Sequence, residues 1–192
     1  MTETRRGGDG GGIRVAAVGH RDSADDGLAA AVRRVLATIL GPDVDAQDVP
    51  HAVRGIIISS LAEGADRLLA REGLALPGVE LHAVLPLPPA DYCLDFATEA
   101  SRVEFDTLLA RAASVEVLAA PGSRNAAYAN AGRKLVDRCD IVVAIWDGKP
   151  ARGAGGTADV VAYARERGRP LCWIHSEDPA RVVRERLDAE TR

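Results

Sequence analysis

Short apolar runs alternate with segments of helical periodicity along most of the chain. The runs are rich in β-branched residues and hold few polar positions, which is typical of strands buried on both faces of a parallel sheet. Between them, apolar residues recur every three or four positions, as on the buried face of a helix. The pattern predicts six strands, at Ile13–Val18, Val53–Ile58, Val79–Leu85, Val115–Leu118, Ile141–Trp146 and Leu171–Ile174.

Glycine, proline and capping residues separate the helical segments from these strands. The stretch Ala90–Phe96 follows a proline-rich turn and predicts an irregular loop. A last charged helix is expected from Pro179, because proline is favoured in a first helical turn. The helices are predicted from about Asp25 to Leu40, from the turn at Asp66 to about Leu74, and at about Thr98–Ala112, Ala126–Arg138, Ala158–Arg167 and Pro179–Glu190.

This alternation of strands and helices defines the expected fold class. Successive parallel strands require right-handed crossovers, and the crossover helices then cover both faces of the sheet. We therefore predict an α/β, Rossmann-like, doubly wound fold with a mainly parallel sheet of about six strands. The polar, glycine-rich residues 1–12 are expected to form a disordered tail, and residues 13–192 a single domain.

Composition narrows the class of protein further. The chain has 192 residues, of which 47% are hydrophobic and 27% charged, and its net charge is −4. No basic block is present, so nucleic acid is expected to be an unlikely partner. The three distant cysteines show no metal spacing, and no apolar run is long enough to span a bilayer. We expect a cytoplasmic protein that holds no metal or cofactor and does not bind membranes.

The doubly wound fold also predicts where a ligand binds. In such sheets the ligand lies at the carboxyl ends of the strands, in the crevice where the strand order reverses. Four turns lie at this edge and are richest in glycine, polar and aromatic residues. These turns are Gly19–Asp22, Ser59–Asp66, Pro86–Phe96 and Asp147–Thr157.

The turn after the fifth strand carries the strongest single pattern. Gly153, Gly155 and Gly156 precede Thr157, where a helical pattern begins. Glycines allow backbone amides to approach a ligand, and a helix start offers unpaired donors, so the combination predicts a phosphate site. The alternative is a glycine-rich linker with Thr157 as an ordinary helix cap. The loop matches neither the Walker A motif nor the dinucleotide fingerprint.

The first two turns offer further groups to a ligand. Gly19 permits a close turn, and His20 and Arg21 can donate hydrogen bonds to an anion. The second turn offers hydroxyls, amides and a carboxylate that suit phosphate or ribose. Its candidate residues are Ser59, Ser60, Glu63 and Gly64. The simpler interpretation is a surface arginine, a histidine bonded to the backbone, and a glutamate that favours a helix start.

Three carboxylates are candidates for acid–base chemistry: Glu63, Asp91 and Asp147. Asp91 lies in the third turn with the aromatic residues Tyr92 and Phe96, either of which could stack on a base. Capping and loop solvation explain the third-turn carboxylates equally well, and the aromatic residues could simply cover the sheet edge. Asp147 could position a ribose hydroxyl or an attacking water.

Taken together, these turns resemble the SLOG superfamily, named for Smf/DprA and the Lonely Guy enzymes. The resemblance implies a Rossmann-like fold that binds nucleotides or their derivatives. Some members are phosphoribohydrolases that cleave an N-glycosidic bond, and others resemble ligand sensors that work beside separate effector domains. The matching pieces are VGHRD (Val18–Asp22), SSLAEGAD (Ser59–Asp66), LP…DYCLDF (Leu85–Phe96) and CDIVVAIWDG…GAGGTADVV (Cys139–Val161).

The chain departs from the Lonely Guy pattern at two places. Their glycine loop reads PGGxGTxxE, and the position of the glutamate falls on Val160, whereas the nearby acid is Asp159. One residue along a helix is a rotation of about 100°, so the Asp159 carboxylate should point elsewhere. Arg133-Lys134 is about two residues out of register with their Arg-Lys pair when Asp140 is aligned. Both departures disfavour Lonely Guy hydrolysis and leave phosphate binding intact.

Three hypotheses for function follow. The leading one is a domain that binds a nucleotide or nucleotide derivative, acting as a sensor for a separate effector protein. The alternative is an enzyme that cleaves the N-glycosidic bond of a nucleotide, and the third is an interaction module with a vestigial cleft. Apolar helix faces and the family resemblance also allow a homodimer.

Overall fold

The computed structural model describes residues 12–21, 26–41, 53–119, 122–150 and 155–186. The expected N-terminal tail, apart from Gly12, lies outside the described residues. The described chain contains one sheet of seven strands. They are β1 (Ile13–Gly19), β2 (Gly55–Ser59), β3 (Val79–Leu85), β4 (Ser114–Val117), β5 (Ile141–Trp146), β6 (Leu171–His175) and β7 (Val182–Glu185). Their order across the sheet is β4-β3-β2-β1-β5-β6-β7.

Helices cover both faces of the sheet, so the predicted doubly wound α/β fold is confirmed. On the first face, the helices α1 (Asp26–Leu40), α2 (Ala65–Leu74) and α4 (Glu99–Ala110) pack against the sheet, and the core between them includes Leu36 and Phe105. On the second face, the helices α5 (Arg124–Arg138) and α6 (Thr157–Glu166) pack against the sheet, and the core there includes Leu135 and Val161. The helices are α1 (Asp26–Leu40), α2 (Ala65–Leu74), α3 (Pro89–Tyr92), α4 (Glu99–Ala110), α5 (Arg124–Arg138) and α6 (Thr157–Glu166).

The end of the chain differs from the expectation of a last helix after Pro179. Residues Val182–Glu185 form β7, which pairs antiparallel with β6. The Arg181 amide donates to the Asp178 carbonyl over 2.9 Å, which closes a turn between the two strands. Proline and charged residues are as compatible with this turn as with a helix start, and β7 also satisfies the backbone groups along the edge of β6.

A smaller correction concerns the expected irregular loop Ala90–Phe96. Pro89 begins the single-turn helix α3, and a 3₁₀ turn, Cys93–Asp95, follows it. Proline suits the first turn of a helix because its missing N–H would have no partner there. None of the helices in the described ranges is long and apolar enough to cross a membrane.

The central strand β1 positions the candidate site. The chain leaves β1 toward β2, β3 and β4 on one side and returns to β5 on the other side, and β1 pairs in parallel with both β2 and β5. The connections that follow β1 and β5 therefore diverge from adjacent strand ends. This divergence opens a crevice at the carboxyl edge of the sheet.

Candidate functional site

A cleft of about 700 Å³ opens at this edge, between the ends of β1 and β5. Its walls include the turns after β1, β2, β5 and β6, the start of α6, one face of α5, and Tyr92 of α3. Of the residues predicted from sequence, the structure brings together Gly19, His20, Arg21, Ser60, Asp147, Gly155, Gly156 and Thr157 in its lining. Gly153 lies outside the described residues.

The start of α6 presents backbone donors to the cleft. Gly156 is the N-cap residue, and Thr157 is the first helical residue and is buried. Within the part of the chain that the structure describes, the amides of Gly156, Thr157 and Ala158 contact no protein acceptor. Unpaired amides and the positive end of the helix dipole together favour an anion.

The Gly155 amide, unlike the next three, is not available to bind an anion. It donates to Oδ2 of Asp159 over 2.8 Å and is therefore already engaged by the protein. Gly155 has a φ of 84° and packs against α5, where an added Cβ would lie 3.0 Å from the Ala129 nitrogen. A glycine is therefore required here by both conformation and space.

The side chains of Val160 and Asp159 point in different directions from α6. Val160 lines the cleft and packs against Gly132 of α5. Asp159 is exposed and turns back to the Gly155 amide. The position that resembles the catalytic glutamate of Lonely Guy enzymes thus faces the cleft as an aliphatic side chain, which can neither transfer a proton nor attack a sugar carbon.

Arg21 supplies a cationic group to the cleft. Its guanidinium carbon lies 5.7 Å from the centre of the Tyr128 ring, and the guanidinium forms no ion pair with a described residue. Stacking on an aromatic face orients an arginine while leaving its N–H donors available. Arg21 therefore combines a defined position with hydrogen-bonding capacity that no described residue occupies.

His20 and Asp147 join the turns after β1 and β5. Nε2 of His20 lies 3.1 Å from Oδ1 of Asp147, within hydrogen-bonding distance. Burial opposes ionisation of Asp147, but hydrogen bonds from the Lys149 amide and from His20 outweigh it and lower the pKa to about 2. Asp147 is therefore ionised near neutral pH and fixes the loop, so it cannot serve as a general acid there.

The structure does not bring the other predicted residues into the cleft lining. Glu63 accepts hydrogen bonds from the Ala97 amide and the Ser101 hydroxyl at the start of α4. These hydrogen bonds outweigh its partial burial, so the pKa of Glu63 is lowered. Asp91 pairs with Arg124 over 3.0 Å. Both carboxylates therefore hold secondary-structure elements together.

Ser59 and Gly64 determine the backbone conformation of the turn after β2. The Ser59 hydroxyl accepts from the Leu61 amide over 3.0 Å. Gly64 has a φ of 79°, and the adjacent Ala65 amide donates to the His20 carbonyl over 3.1 Å. This contact ties the turn after β2 to the turn after β1, so it sets the position of Arg21.

Neither Tyr92 nor Phe96 is arranged to stack on a base. Both rings are buried, and they meet edge to face with centroids 5.0 Å apart. Phe105 packs against both rings. Both residues therefore belong to the core, and Tyr92 also forms part of the cleft lining.

Asp66, the last residue of the predicted turn Ser59–Asp66, also lines the cleft. It lies in the first turn of α2 and is buried in the floor of the cleft. Burial raises the pKa of Asp66 to about 7, although the amides of Ala62 and Gly19 and the charges of Arg21 and Arg67 act in the opposite direction. Near neutral pH this carboxyl therefore exchanges between charged and uncharged forms.

The raised pKa of Asp66 predicts a specific pH dependence of stability. The unfolded value is about 3.9, so the folded state holds a proton that the unfolded state has lost at intermediate pH. The contribution of Asp66 is complete below about pH 4 and is lost as the pH rises through about 7. Relative to the Asp66→Asn variant, the wild type should lose up to about 4 kcal/mol of unfolding free energy between pH 4 and pH 8.

Urea denaturation at four pH values in that range measures this loss. The amide of the variant keeps an acceptor for the surrounding backbone amides but does not titrate there, so the difference between the two proteins isolates Asp66. Parallel stability curves for the two proteins would contradict a buried carboxyl of raised pKa.

Helix α5 contributes residues that the sequence analysis missed. Asn125 and Tyr128 line the cleft together with Gly132 and Leu135 of the same helix. Their spacing places them along one helical face. The sequence signal that could have identified this face is its change of polarity. The polar residues Asn125 and Tyr128 are followed, at helical spacing, by the small Gly132 and the apolar Leu135. Among the described residues, no group of three or more histidine, cysteine or acidic side chains is arranged to hold a metal ion.

The fold and the cleft together define a Rossmann-like α/β protein with an anion-compatible crevice at the switch point of its sheet. No protein-family model matches the chain, and no curated protein matches it by sequence. Solved structures do match. DNA processing protein A from Streptococcus pneumoniae has a TM-score of 0.58 and 19% identity over 92% of this chain and 52% of that one. The Helicobacter pylori protein has a TM-score of 0.55 and 16% identity over 92% of this chain and 67% of that one.

The chain has the fold of these DNA processing proteins, which is the fold that the sequence resemblance implied. It spans about half of the Streptococcus pneumoniae structure. The Helicobacter pylori structure is described as showing a single-stranded DNA binding mode. The expectation that nucleic acid is an unlikely partner is therefore wrong: overall charge says little about one local cleft, and a structural neighbour binds single-stranded DNA.

Proposed function

We propose that the cleft binds a phosphate-bearing nucleotide or nucleotide derivative. The observation that carries this proposal is the convergence, in one cleft, of the Gly156, Thr157 and Ala158 amides with the Arg21 guanidinium, none of which has a hydrogen-bonding or ion-pair partner among the described residues. Backbone donors at a helix start and an arginine fork are complementary to phosphate oxygens. A cleft of about 700 Å³ is also within the range of small-molecule sites.

Binding without cleavage is the simpler form of this function. Asp66, whose pKa is raised to about 7, and the ionised Asp147 both line the cleft, but neither lies at the position on α6 that resembles the catalytic glutamate of Lonely Guy enzymes. Val160 occupies that position, and Glu63 and Asp91 lie outside the cleft lining. We therefore expect the protein to release no free base from AMP, NAD or ADP-ribose, as measured by chromatography after prolonged incubation.

Single-stranded DNA is a second candidate ligand. The specific observation in its favour is the structural similarity to the Helicobacter pylori protein, whose single-stranded DNA binding mode has been described. The same unpaired amides and Arg21 would then contact a backbone phosphate. An oligothymidylate titrated in parallel with AMP distinguishes the two ligands. A DNA complex should also show the steeper loss of affinity with added salt, because several phosphates are neutralised.

Isothermal titration of AMP into the wild type and the Arg21→Ala variant tests the proposal. The variant should bind AMP about tenfold more weakly or worse, because a charged hydrogen bond to the phosphate is lost. Arg133→Ala is the matched control. Arg133 also stacks over a tyrosine ring, Tyr163, at 5.7 Å, but it does not line the cleft.

The control should bind AMP as the wild type does. Equal losses in the two arginine variants would indicate a general effect of charge and would count against the cleft. If the wild type binds neither AMP nor the oligothymidylate, the proposed function is wrong.

A further inference from the structure

The hydroxyl of Tyr92 is buried at the floor of the cleft with no hydrogen-bond partner among the described residues. The side chain is 0% exposed, and edge contacts with Phe96 and Phe105 fix its ring. An unpaired buried hydroxyl costs about 1–3 kcal/mol, and such groups are rare in native proteins. A rigid donor at a cleft floor that no described residue pairs with indicates a partner supplied by a ligand.

Asp66 provides an acceptor near this donor. Burial and the nearby Asp66 carboxyl raise the pKa of Tyr92 far above its ordinary value, so its hydroxyl remains protonated. The amides of Ala62 and Gly19 donate to Asp66 and hold it in place. A carboxylate has about four acceptor positions, so Asp66 retains capacity for a ligand. A donor close to an acceptor is complementary to a hydroxyl group, which both donates and accepts.

Tyr128 links this floor to the proposed phosphate end of the cleft. Its ring centre lies 6.0 Å from that of Tyr92 and 5.7 Å from the guanidinium carbon of Arg21. An added Cβ on Gly155, just before α6, would lie 3.3 Å from the Tyr128 Cβ. Tyr128 therefore lies next to both the cleft floor and the residue that precedes α6. A group that lies next to a bound phosphate is positioned to approach the floor, and in a nucleotide that group is the sugar.

We propose that Asp66 and Tyr92 form a subsite for a sugar hydroxyl, so that the cleft selects nucleotides that carry an intact ribose. This inference rests on the proposed function, because the phosphate anchors the ligand. Tyr92 donates to the sugar oxygen, and the same hydroxyl donates to Asp66. At pH values where Asp66 is ionised, its carboxylate repels a phosphate at this floor.

The test compares AMP with 2′,3′-dideoxy-AMP in the wild type and in the Tyr92→Phe variant. The wild type should bind AMP at least about tenfold more tightly, because the dideoxy ligand leaves buried polar groups unpaired. Tyr92→Phe should remove most of that preference by weakening AMP binding alone. The substitution deletes an oxygen that has no partner among the described residues, so the thermal midpoint should stay the same or rise.

Tyr163→Phe is the matched control, since the Tyr163 hydroxyl bonds to Asp137 and the residue does not line the cleft. It should keep the full preference for AMP. Equal affinity of the wild type for the two nucleotides, or equal weakening of both by Tyr92→Phe, would overturn the sugar subsite while nucleotide binding stands. Absence of AMP binding in the wild type would overturn the subsite and the nucleotide proposal together.

Discussion

Replacement of Gly156 by aspartate is expected to weaken AMP binding by more than about a hundredfold while the protein remains folded. The residue has φ −80° and ψ 174°, an extended conformation that any residue adopts, and it is exposed. Aspartate is a preferred N-cap residue, so α6 should be retained or slightly stabilised. Its carboxylate would bind the amides proposed for phosphate and repel the anion, and like charges in contact cost several kcal/mol.

Gly156→Ala is the control for this substitution. It adds a Cβ at the same backbone geometry without adding a charge or a capping oxygen, so the affinity for AMP should stay within about threefold of the wild type. Isothermal titration measures both variants, and circular dichroism checks the fold. Wild-type affinity in the aspartate variant would mean that AMP binds away from the start of α6.

Replacement of Gly64 by alanine should have the largest effect on stability. Gly64 has φ 79° and ψ −118°, a conformation that only glycine adopts readily. A Cβ there would lie 2.0 Å from the Arg21 carbonyl oxygen and 2.7 Å from that of His20. Both atoms belong to the backbone, so the turn after β1 would have to move. We expect a loss of about 3 kcal/mol or more of unfolding free energy, together with weaker AMP binding.

Gly122→Ala separates backbone strain from the steric clash. Gly122 has a similar φ of 75°, but no atom of a described residue lies within 4 Å of the position that its Cβ would take. It should lose only about 1–2 kcal/mol, the ordinary cost of a left-handed residue. Urea denaturation measures both variants. A loss in Gly64→Ala no larger than that in Gly122→Ala would show that the two turns are not in tight contact.

Most of the fold was predictable because buried parallel strands leave a local signal. The runs Val79–Leu85 and Ile141–Trp146 match β3 and β5 residue for residue. The strand β7 was missed because its pairing with β6 is a tertiary contact. The sequence after Pro179 has the proline and charged residues that are also found at the start of a helix. The choice of a strand over a helix depends on pairing with the open edge of β6.

The location of the cleft followed from the topology, but the direction of individual side chains did not. Glu63 appeared suited to a ligand, yet its partners Ala97 and Ser101 lie more than thirty residues away in sequence. Asp66 lies three positions further along the chain and faces the cleft instead. Local sequence cannot separate two such acids, because their orientations depend on how α2 and α4 pack.

Crystallography of the AMP complex tests the central claim most directly. We expect the phosphate oxygens to lie about 3 Å from the amide nitrogens of Gly156, Thr157 and Ala158, with the Arg21 guanidinium at a similar distance. A complex in which the phosphate is bound elsewhere, with these amides contacting no part of AMP, would contradict the proposal that the start of α6 is the anion site.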